Sequence, residues 1–499
     1  MKTDILIIGG GVVGAAVAYR LCRYRLSVAW VEKENDICTG TSKANSSMIH
    51  DGYNVDGSKL KGKLVLKSHP LYAQMCRELH IPYTENVGSV VVGFKDEDMN
   101  IIKEQLDMGT KNGIRGLQIV DRNELLKMEP NLDPKARFGL YNPNTGVVDP
   151  FQLTLAMAEN AVTNGVKFCR NTEVISIQAQ NGKISSVETT AGRFEPKVVI
   201  NAAGLYSDRI AAMAEEIDFS VRPRRGQYFL YDREWQGHVK HCIYSSPTKT
   251  SKGMIILPTI EGNILAGSNA IAVKDKEDVA TTRQETEDIY WNLIHRHFPK
   301  LPRMEGVITS FVGLRAVSNT EDFIISHART VRGLINLVGI QSPGLSSAPG
   351  IAEMVEKLAR ELELDLDFRE KEFFRTGRPR PIALRNMTNE ERAAMIAKNP
   401  DYGTIICRCE MISKGEILDA LNGPIPAMDL DGVKRRARAG MGRCQGGFCG
   451  PKVMDLLRKK LKVSLLEITK KGPGSNILSK CAKRTVLPEG SDWGEKVLL

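Results

Sequence analysis

Four cysteines near the C-terminus have the type and spacing of ligands for a small inorganic centre. They form two pairs, Cys407-Arg-Cys409 and Cys444-Gln-Gly-Gly-Phe-Cys449, with residues 410–443 between the pairs. Glycines surround the second pair, and glycine lets backbone N–H groups come close enough to hydrogen-bond to sulfur. The pattern therefore predicts a metal site whose ligands are Cys407, Cys409, Cys444 and Cys449.

Three kinds of site fit four paired thiols: a [2Fe–2S] cluster, a zinc ion and a redox disulfide. Structural zinc sites commonly have two to four residues between paired cysteines, and Cys-x-Cys does not match that spacing. The basic run Lys434-Arg-Arg-Ala-Arg438 agrees with a cluster, because four thiolates make an iron–sulfur cluster net negative. A solvated helix face would carry the same charges, but the cysteine spacing favours [2Fe–2S].

The other end of the chain has the pattern of a dinucleotide-binding βαβ unit. Strands are predicted at Thr3–Ile8 and Ser27–Glu32, with a helix at Ala15–Arg25 between them. The first strand runs into Gly9-Gly10-Gly11-Val12-Val13-Gly14, which matches the pattern G-x-G-x-x-G. The first glycine permits a tight turn, the second lets the backbone approach a pyrophosphate, and the third lets helix and strand pack closely. Glu32 can accept a hydrogen bond from a ribose hydroxyl.

Length and cysteine usage narrow the class of protein. A chain of 499 residues predicts about three domains. No run approaches the roughly 18 apolar residues that cross a bilayer, and a first strand at Thr3 leaves no room for a signal peptide. The remaining cysteines stand alone, which is typical of a reducing cytoplasm; they are Cys22, Cys38, Cys76, Cys169, Cys242 and Cys481. We therefore expect a cytoplasmic protein, attached to a membrane only peripherally and through a partner.

The net charge of +10 is moderately basic and leaves several partners open. Nucleic acid is excluded as a partner, because aromatic residues are only 6% of the chain and no basic helix is interleaved with stacking residues. An anionic substrate, an acidic protein, an anionic membrane surface or a merely solvated surface remain. A two-electron cofactor at one end and a one-electron centre at the other indicate an electron-transferring dehydrogenase.

The middle of the chain predicts a sheet that covers the cofactor. Residues 60–144 alternate helical and irregular stretches with one short strand at Ser89–Gly93. Residues 222–330 alternate short strands with Gly/Pro turns, which favours an antiparallel sheet. Leu334–Val338 reads as a last parallel strand in the sheet of the N-terminal strands. A turn over residues 339–348 is then expected to lead into a helix at Pro349–Leu362.

Several segments together resemble the flavoprotein superfamily of D-amino-acid oxidase, glycine oxidase and glycerol-3-phosphate dehydrogenase. They are the βαβ unit Asp4–Glu32, the Ser/Thr-rich stretch Thr41–Gly52 that ends in His-x-Gly, Asn201-Ala-Ala-Gly204 followed by Ser207-Asp208, Gly313-Leu-Arg315 followed by Asp322–Ile325, and the turn Gly339–Ser346. Gly440-Met-Gly-Arg-Cys444-Gln-Gly-Gly-Phe-Cys449 resembles the bacterioferritin-associated-ferredoxin-like [2Fe–2S] domain. This pairing of domains is similar to that of anaerobic-type glycerol-3-phosphate dehydrogenases.

The resemblance implies an α/β fold: an FAD-binding Rossmann-like domain with an antiparallel substrate-covering sheet, followed by a small helical [2Fe–2S] domain. The expected division is an FAD-dependent oxidoreductase over 1–365, a linker over 366–402, a [2Fe–2S] domain over 403–465 and a C-terminal tail over 466–499. Within the first part, FAD-binding segments are expected at about 1–60, 150–215 and 330–365, and substrate or cap segments at about 61–149 and 216–329.

The resemblance also implies which residues bind FAD. They lie in the glycine turn, after the second strand, in the Ser/Thr-rich stretch and in the later motifs, and are Gly9, Gly11, Val12, Val13, Gly14, Glu32, Lys33, Thr41, Ser42, Asn45, Ser46, Ser47, Val174, Ala203, Gly204, Gly339, Gly344, Leu345 and Ser346. The N–H groups at Gly344–Ser346 would stabilise negative charge on the reduced flavin.

The implied reaction oxidises sn-glycerol 3-phosphate to dihydroxyacetone phosphate by hydride transfer to the flavin. His50 is either the base that takes the hydroxyl proton or a group that orients the flavin. Arg315 would bind the anionic group of the substrate through its planar fork of donors, unless it forms a structural salt bridge. In this superfamily proline often follows that arginine, whereas Ala316 follows it here, which affects the expected substrate contacts.

Other residues and functions stay open at this point. One of Arg222, Arg224 and Arg225 is a candidate second anion contact, and Tyr53 and Tyr244 are expected to be packing residues rather than substrate groups. Electrons would leave the cluster for a partner subunit, a flavoprotein or an iron–sulfur protein. The alternative functions are an amine, amino-acid or 2-hydroxy-acid dehydrogenase of the same superfamily and a non-catalytic electron-transfer subunit.

Overall fold

A computed structural model describes residues 1–245 and 253–480. Of the expected tail over 466–499, residues 481–499, with Cys481, lie outside the described residues. The strands are β1 (Lys2–Ile8), β2 (Val28–Val31), β3 (Met48–Ile49), β4 (Tyr83–Thr84), β5 (Ser89–Gly93), β6 (Gln118–Asp121), β7 (Phe138–Asn142), β8 (Gly146–Val148), β9 (Lys167–Cys169), β10 (Val174–Gln180), β11 (Lys183–Thr189), β12 (Gly192–Asn201), β13 (Val221–Tyr231), β14 (Cys242–Ser245), β15 (Ile255–Pro258), β16 (Ile264–Gly267), β17 (Ile271–Ala272), β18 (Val307–Ser318), β19 (Ile324–His327), β20 (Leu334–Val338), β21 (Ile405–Cys407) and β22 (Ile412–Ser413). The helices are α1 (Val12–Leu21), α2 (Leu60–Ser68), α3 (Tyr72–Glu78), α4 (Asp98–Lys111), α5 (Arg122–Met128), α6 (Pro150–Thr163), α7 (Ser207–Ala212), α8 (Arg283–Ile289), α9 (Gly344–Glu361), α10 (Asn389–Lys398), α11 (Lys414–Asn422), α12 (Leu430–Ala437) and α13 (Gly450–Leu461). Among the described helices, none is both long and apolar enough to cross a membrane.

The FAD-type domain is built on a parallel sheet of order β20-β12-β1-β2-β9. Its strands are short apolar runs that are buried on both faces, as parallel strands must be. Helices α1, α6 and α9 cover one face, and the hairpin β10–β11 and α7 pack on the other. Strand β20 therefore shares the sheet of β1, as the sequence predicted.

Helix α9 begins at Gly344, five residues earlier than predicted, and Pro349 lies inside it. A proline lacks the N–H group that would bond to the carbonyl four residues before it. That carbonyl, on Leu345, instead accepts a hydrogen bond from the hydroxyl of Tyr72. The N–H of Gly350 donates to Ser68 Oγ at 2.9 Å. Side chains from α2 and α3 thus support the distorted turn, which local sequence signals could not show.

The cap is a sheet of order β17-β13-β16-β15-β14-β5-β7-β6, with β18 also paired to β13. The antiparallel sheet predicted from residues 222–330 is confirmed, because the described strand pairs within that range are all antiparallel, but the cap sheet extends beyond it. Strands β5, β6 and β7 come from the earlier part of the chain, where only β5 was expected. Strand β14 runs parallel to β5, so the sheet is mixed.

The C-terminal domain packs three helices around the cysteine loops. Helix α11 begins with the predicted capping box, in which Ser413 and Glu416 bond to each other's backbone N–H groups. Helix α13 begins at Gly450, directly after Cys449. The segment over 366–402 contains α10, and its Arg378 forms a buried ion pair with Glu159 at 2.8 Å. Much of this segment is therefore attached to the FAD-type domain.

A buried ion-pair group joins the two domains. The Asp36 side chain is fully buried and accepts hydrogen bonds from Arg435 at 2.6 Å and from Arg436 at 2.7 Å. Burial alone would raise the pKa of Asp36, but Arg436 and then Arg435 hold it well below its usual range. Beside this group, Asn35 donates to Asp429 at 2.6 Å.

We expect Asp36→Asn to loosen this interface. The change leaves Arg435 and Arg436 buried without their counter-charge, and breaking a buried pair costs about 3–5 kcal/mol. Limited proteolysis within residues 366–402 should therefore release the C-terminal domain faster. Asp218→Asn is the control, because Asp218 pairs with Arg329 on the exposed surface at 2.6 Å. Equal cleavage rates in the two variants would contradict a role for Asp36 in holding the domains together.

His297 gives the cap a pH-dependent stability. It is buried against Phe94, and burial lowers the pKa of His297 to about 4. Below about pH 6.5 the unfolded chain takes up a proton that the native state refuses, so stability falls as pH falls. The loss between pH 7 and pH 5 should be about 2 kcal/mol. Urea unfolding should show a smaller loss in His297→Gln; an equal loss would mean that other groups cause it.

Candidate functional site

The glycine turn after β1 is shaped for close backbone approach. Gly9 has φ +109°, and a Cβ there would lie 2.4 Å from the carbonyl oxygen of Ala202. A Cβ on Gly14 would lie 2.1 Å from the carbonyl oxygen of Gly9. Ser42 Oγ accepts from the N–H of Val12 at 2.9 Å, at the start of α1. The turn and the first N–H groups of α1 thus have the arrangement that binds a pyrophosphate.

Glu32 and its neighbours surround the expected adenosine end of the cofactor. The Glu32 carboxylate accepts from the N–H groups of Gly10 and Glu34, so it braces the turn and retains lone pairs for a ribose. Burial raises the pKa of Glu32, although these N–H groups oppose the rise. The carbonyl of Glu32 accepts a hydrogen bond from the N–H of Thr172. This bond places Val174, the first residue of β10, beside Glu32.

The remaining predicted residues of this edge lie at the ends of parallel strands. The N–H of Ala202 donates to the carbonyl of Ile8, which brings Ala203 and Gly204 next to the glycine turn. Lys33 follows β2, and its Nζ lies 4.3 Å from the ring centroid of Tyr206. The carboxyl ends of parallel strands are where ligands bind in open α/β sheets.

The Ser/Thr-rich stretch is clamped in place by its own side chains. Thr41 Oγ1 donates to the carbonyl of Leu314 at 2.7 Å. The Asn45 amide donates to the carbonyl of Ser42 and accepts from the N–H of Ser47, both at 2.8 Å. Asn45 therefore shapes the loop, and Ser46 lies half-buried within it. This stretch joins the glycine turn to β18.

The start of α9 closes the other side of the site. Gly339 follows β20 with φ +71°, and the chain enters α9 at Gly344. Ser346 Oγ accepts from the N–H of His50 at 2.9 Å and donates to the carbonyl of Met48 at 3.2 Å. The Ser346 side chain thus holds β3, and N–H groups in the first turn, including that of Leu345, have no intrahelical acceptor.

His50 is buried, and its hydrogen bonding indicates a tautomer. Its Nδ1 accepts from the N–H of Gly52 at 2.8 Å, and its ring stacks on Tyr53 with centroids 5.2 Å apart. A neutral imidazole that accepts at Nδ1 carries its proton on Nε2. His50 is therefore arranged to donate from Nε2, which favours the orienting role over the role of base.

Arg315 is set up as an anion contact. Its guanidinium donates to the carbonyl of Asn269 at 3.2 Å and to the hydroxyl of Ser268. No described carboxylate lies within ion-pair distance of it, which argues against a structural salt bridge. A Cβ on Gly226 would lie 2.8 Å from Arg315 Nη2, so glycine there leaves room for the guanidinium.

The arginines of β13, the strand paired with β18, differ from Arg315 in having carboxylate partners or an exposed position. Arg225 pairs with Asp278 at 3.0 Å and Glu285 at 2.7 Å, and Arg224 pairs with Glu321 at 2.9 Å. Arg222 is exposed. The suggestion of a second anion contact therefore fails for Arg224 and Arg225, because carboxylates distant in sequence neutralise them.

The two tyrosines lie in the cap core, as expected of packing residues. Tyr53 and Tyr244 are both buried, and the Tyr244 hydroxyl lies 3.1 Å from the sulfur of Met48. Two polar groups at the site were missed by the sequence analysis, Ser268 and Asn269. They stand far from Arg315 in the chain, and no spacing pattern connects them to it.

The four cysteines come together in the C-terminal domain. The sulfurs of Cys409 and Cys444 are 3.6 Å apart. A hydrogen bond from the Cys449 thiol lowers the pKa of Cys407 to about 6, assisted by the N–H groups of Gly440 and Glu410. The N–H of Phe448 lowers the pKa of Cys444. These N–H groups would stabilise thiolate ligands.

The arrangement of the sulfurs suits two irons better than one zinc. No three described His, Cys, Asp or Glu side chains are grouped closely enough to hold one metal ion. The sulfurs instead form two pairs, and a [2Fe–2S] cluster binds two cysteines at each iron. Two sulfurs bound to the same tetrahedral metal ion, with bonds of about 2.3 Å, lie about 3.8 Å apart. The 3.6 Å between the Cys409 and Cys444 sulfurs is close to this value, so these two cysteines can share one iron.

A cavity of about 670 Å³ opens between the cysteine loops and the cap. Its walls include Gly440, Gly446, Cys449 and, across the domain boundary, Thr309 of β18. None of the residues predicted to hold FAD or substrate lines it. The cavity therefore belongs to the surroundings of the cysteines and not to the dinucleotide site.

Comparison with sequence families assigns both parts of the chain. A family model described as FAD dependent oxidoreductase matches residues 4–358, and one described as BFD-like [2Fe-2S] binding domain matches residues 405–459. The residues at the dinucleotide edge fit FAD, and the two sulfur pairs fit a [2Fe–2S] cluster.

Individual relatives extend over most of the chain. A protein named glycerol 3-phosphate dehydrogenase from Caloramator mitchellensis is 39% identical over 97% of this chain and 99% of its own length. A glycerol 3-phosphate oxidase from Mycoplasma pneumoniae is 33% identical over 71% of this chain and 94% of its own. The structure of L-alpha-glycerophosphate oxidase from Mycoplasma pneumoniae with FAD bound superimposes with a TM-score of 0.71, at 31% identity, over 76% of this chain and 99% of that one.

Substitution of His50 can distinguish a hydrogen-bond donor from a general base. If His50 donates a hydrogen bond, His50→Gln, which keeps a donor, should retain activity within about tenfold, whereas loss of a general base costs 10²–10⁴-fold. His50→Ala, which removes the donor, should lose more than His50→Gln. Rates with saturating substrate over pH 6–9 check this; equal, large losses in both variants would support the base.

Proposed function

This chain belongs to the FAD-dependent oxidoreductase family, and we propose that it is a dehydrogenase that oxidises sn-glycerol 3-phosphate to dihydroxyacetone phosphate. The observation that carries the proposal is the likeness to a protein named glycerol 3-phosphate dehydrogenase over 97% of this chain, cysteine domain included. The shorter relatives named as oxidases match only 71% of it. A one-electron centre serves little purpose if oxygen takes the electrons directly, which favours a dehydrogenase.

Arg315 supports an anionic substrate. Its guanidinium has five N–H donors, and Ser268 and Asn269 occupy some of them and fix its plane. The remaining donors can bind two oxygens of a phosphate group at once. Because no described carboxylate neutralises Arg315, the site keeps its positive charge for the substrate.

His50 supports orientation of the reacting groups. FAD, when bound, supplies the hydride acceptor. The bond from Gly52 to Nδ1 fixes the ring of His50, and the stacked Tyr53 restricts its rotation. Nε2–H is then a donor of fixed direction. His50 would act as a base only after the Gly52 hydrogen bond breaks.

The C-terminal domain supports onward electron transfer. Its cysteines offer a one-electron site, and Asp36 with Arg435 and Arg436 holds that site against the FAD-type domain. We propose that electrons then pass to a separate partner, a flavoprotein or an iron–sulfur protein. We further propose that the enzyme works in the cytoplasm, at a membrane only through that partner.

The deciding experiment is an anaerobic visible spectrum before and after addition of sn-glycerol 3-phosphate. We expect the flavin bands to bleach over a cluster background. Arg315→Ala should raise KM about 10²-fold, since removing one partner of a charge pair costs roughly 2–5 kcal/mol. The control Arg193→Ala, on an exposed position of β12, should change KM little. Bleaching by an amino acid or a 2-hydroxy acid, with none by sn-glycerol 3-phosphate, would refute the proposal.

A further inference from the structure

The four cysteine ligands are not equally buried. Cys407 and Cys449 are 1% and 2% exposed and belong to the core of the C-terminal domain. Cys409 and Cys444 lie at intermediate exposure. A cluster held by these four residues would therefore have one covered side and one side near solvent. Electron transfer to another protein would take place on the side of Cys409 and Cys444.

Two large apolar side chains stand at this open side. Phe448 lies in the turn between Cys444 and Cys449, is 84% exposed, and its N–H bonds to the Cys444 sulfur. Met411, two residues after Cys409, is 50% exposed. Neither contributes to the core of the domain. Aromatic residues and methionine are enriched at protein interfaces, and electron-transfer interfaces are small enough for a few such residues to matter.

The charge around these side chains is positive. Arg408 and Lys452 are exposed, have no described ion-pair partner and lie one and three residues from a ligand cysteine. Arg443 is exposed too, but it pairs with Asp232 of the cap at 3.0 Å. Residues 405–459 contain ten basic and six acidic side chains. Three of the acids, Glu410, Glu416 and Asp429, are buried.

Glu410, which directly follows the ligand Cys409, is buried by ion pairs and does not contribute to this surface. It is 3% exposed and accepts from Arg438 at 3.1 Å, from Arg385 at 3.3 Å and from Arg233 of the cap. Arg408 and Lys452 therefore supply the unpaired charge around the apolar side chains of Phe448 and Met411.

We propose that this surface, made of Arg408, Met411, Phe448 and Lys452 and called here the cluster face, docks an acidic protein that carries one electron. The proposal rests on the proposed electron-transferring function. Two electrons leave each substrate, so two carrier molecules would each be reduced by one electron. Opposite charge would steer the encounter, and Phe448 would form the apolar centre of a short-lived complex.

A membrane surface fits the cluster face less well. Helices that lie on anionic membranes present a continuous apolar stripe beside their basic residues. Here the apolar side of α13, with Val453 and Leu457, is buried in the domain core. The apolar side chains of the cluster face, Phe448 and Met411, both lie on tight turns and form no such stripe.

Two one-electron proteins of opposite charge provide the test: plastocyanin, which is acidic, and cytochrome c, which is basic. The enzyme is reduced anaerobically with dithionite and desalted, so the result does not depend on the substrate assignment. Stopped-flow mixing should show faster reduction of plastocyanin at low salt, slowing as salt rises, and no such slowing for cytochrome c. Binding is measured separately by NMR shifts of ¹⁵N-plastocyanin on addition of oxidised enzyme, without electron transfer.

A matched pair of charge reversals lies on one helix. Lys452 is in the first turn of α13 and Lys460 near its end, about 12 Å further along the axis. Lys452→Glu and Arg408→Glu should each lower the plastocyanin rate about tenfold at low salt and weaken the NMR shifts. Lys460→Glu should change neither. Phe448→Ser should weaken binding at every salt concentration. The visible and EPR spectra of each variant confirm that the cluster is intact.

Several outcomes would overturn the proposal. One is faster reduction of cytochrome c than of plastocyanin by the wild-type enzyme at low salt, a comparison that needs no variant. Another is that Lys452→Glu and Lys460→Glu lower the rate of plastocyanin reduction equally. A third is that Arg408→Glu and Phe448→Ser abolish binding to vesicles of anionic phosphatidylglycerol while plastocyanin binding is unchanged. That result would assign the cluster face to a membrane.

Discussion

The loop after β2 ties both redox sites to one short stretch of backbone. Glu32 bonds to the N–H of Gly10, and the N–H of Cys38 donates to the carbonyl of Gly10 at 2.9 Å. Between these contacts, Asp36 holds Arg435 and Arg436 of the C-terminal domain. Any movement of that domain would pull on the dinucleotide turn. The buried charge of Asp36 opposes such movement, because an unpaired buried arginine is costly. The ion pairs thereby restrict movement of the C-terminal domain relative to the dinucleotide turn.

A second constraint aligns the substrate side with the flavin side. A Cβ on Gly313 would lie 2.1 Å from the carbonyl oxygen of Ala44, so β18 and the Ser/Thr-rich stretch meet backbone to backbone. Thr41 and Ser346 fasten the same stretch at its two ends. Arg315 follows Gly313 by two residues, and His50 ends the stretch. The anion contact and the orienting histidine are therefore held in one rigid frame.

Features that depend on short sequence spacings could be predicted from the sequence. Features that depend on contacts between residues far apart in the chain could not. The βαβ unit, the capping box at Ser413 and the cysteine pairs depend on fixed short spacings, which are visible in the sequence. The start of α9 was misplaced because Pro349 is tolerated only with support from Tyr72. Arg225 was taken as a candidate anion contact because Asp278 and Glu285 lie far along the chain. The role of Asp36 gave no local signal at all.

Glu410 connects the electrostatics of the cluster with those of the surface. Three arginines, from the cap, the 366–402 segment and the C-terminal end of α12, pair with Glu410, and two of them also pair with Glu261. The carboxylate beside Cys409 is therefore neutralised by its partners. A reduced iron–sulfur cluster carries one more negative charge than the oxidised form, so an unpaired carboxylate beside Cys409 would lower the potential, and pairing with arginines opposes that effect. The same pairing keeps the Glu410 carboxylate away from solvent, so Arg408 and Lys452 set the charge that a partner meets. The arginines that neutralise Glu410 thus limit its repulsion of an electron on the cluster and keep its charge away from an acidic acceptor.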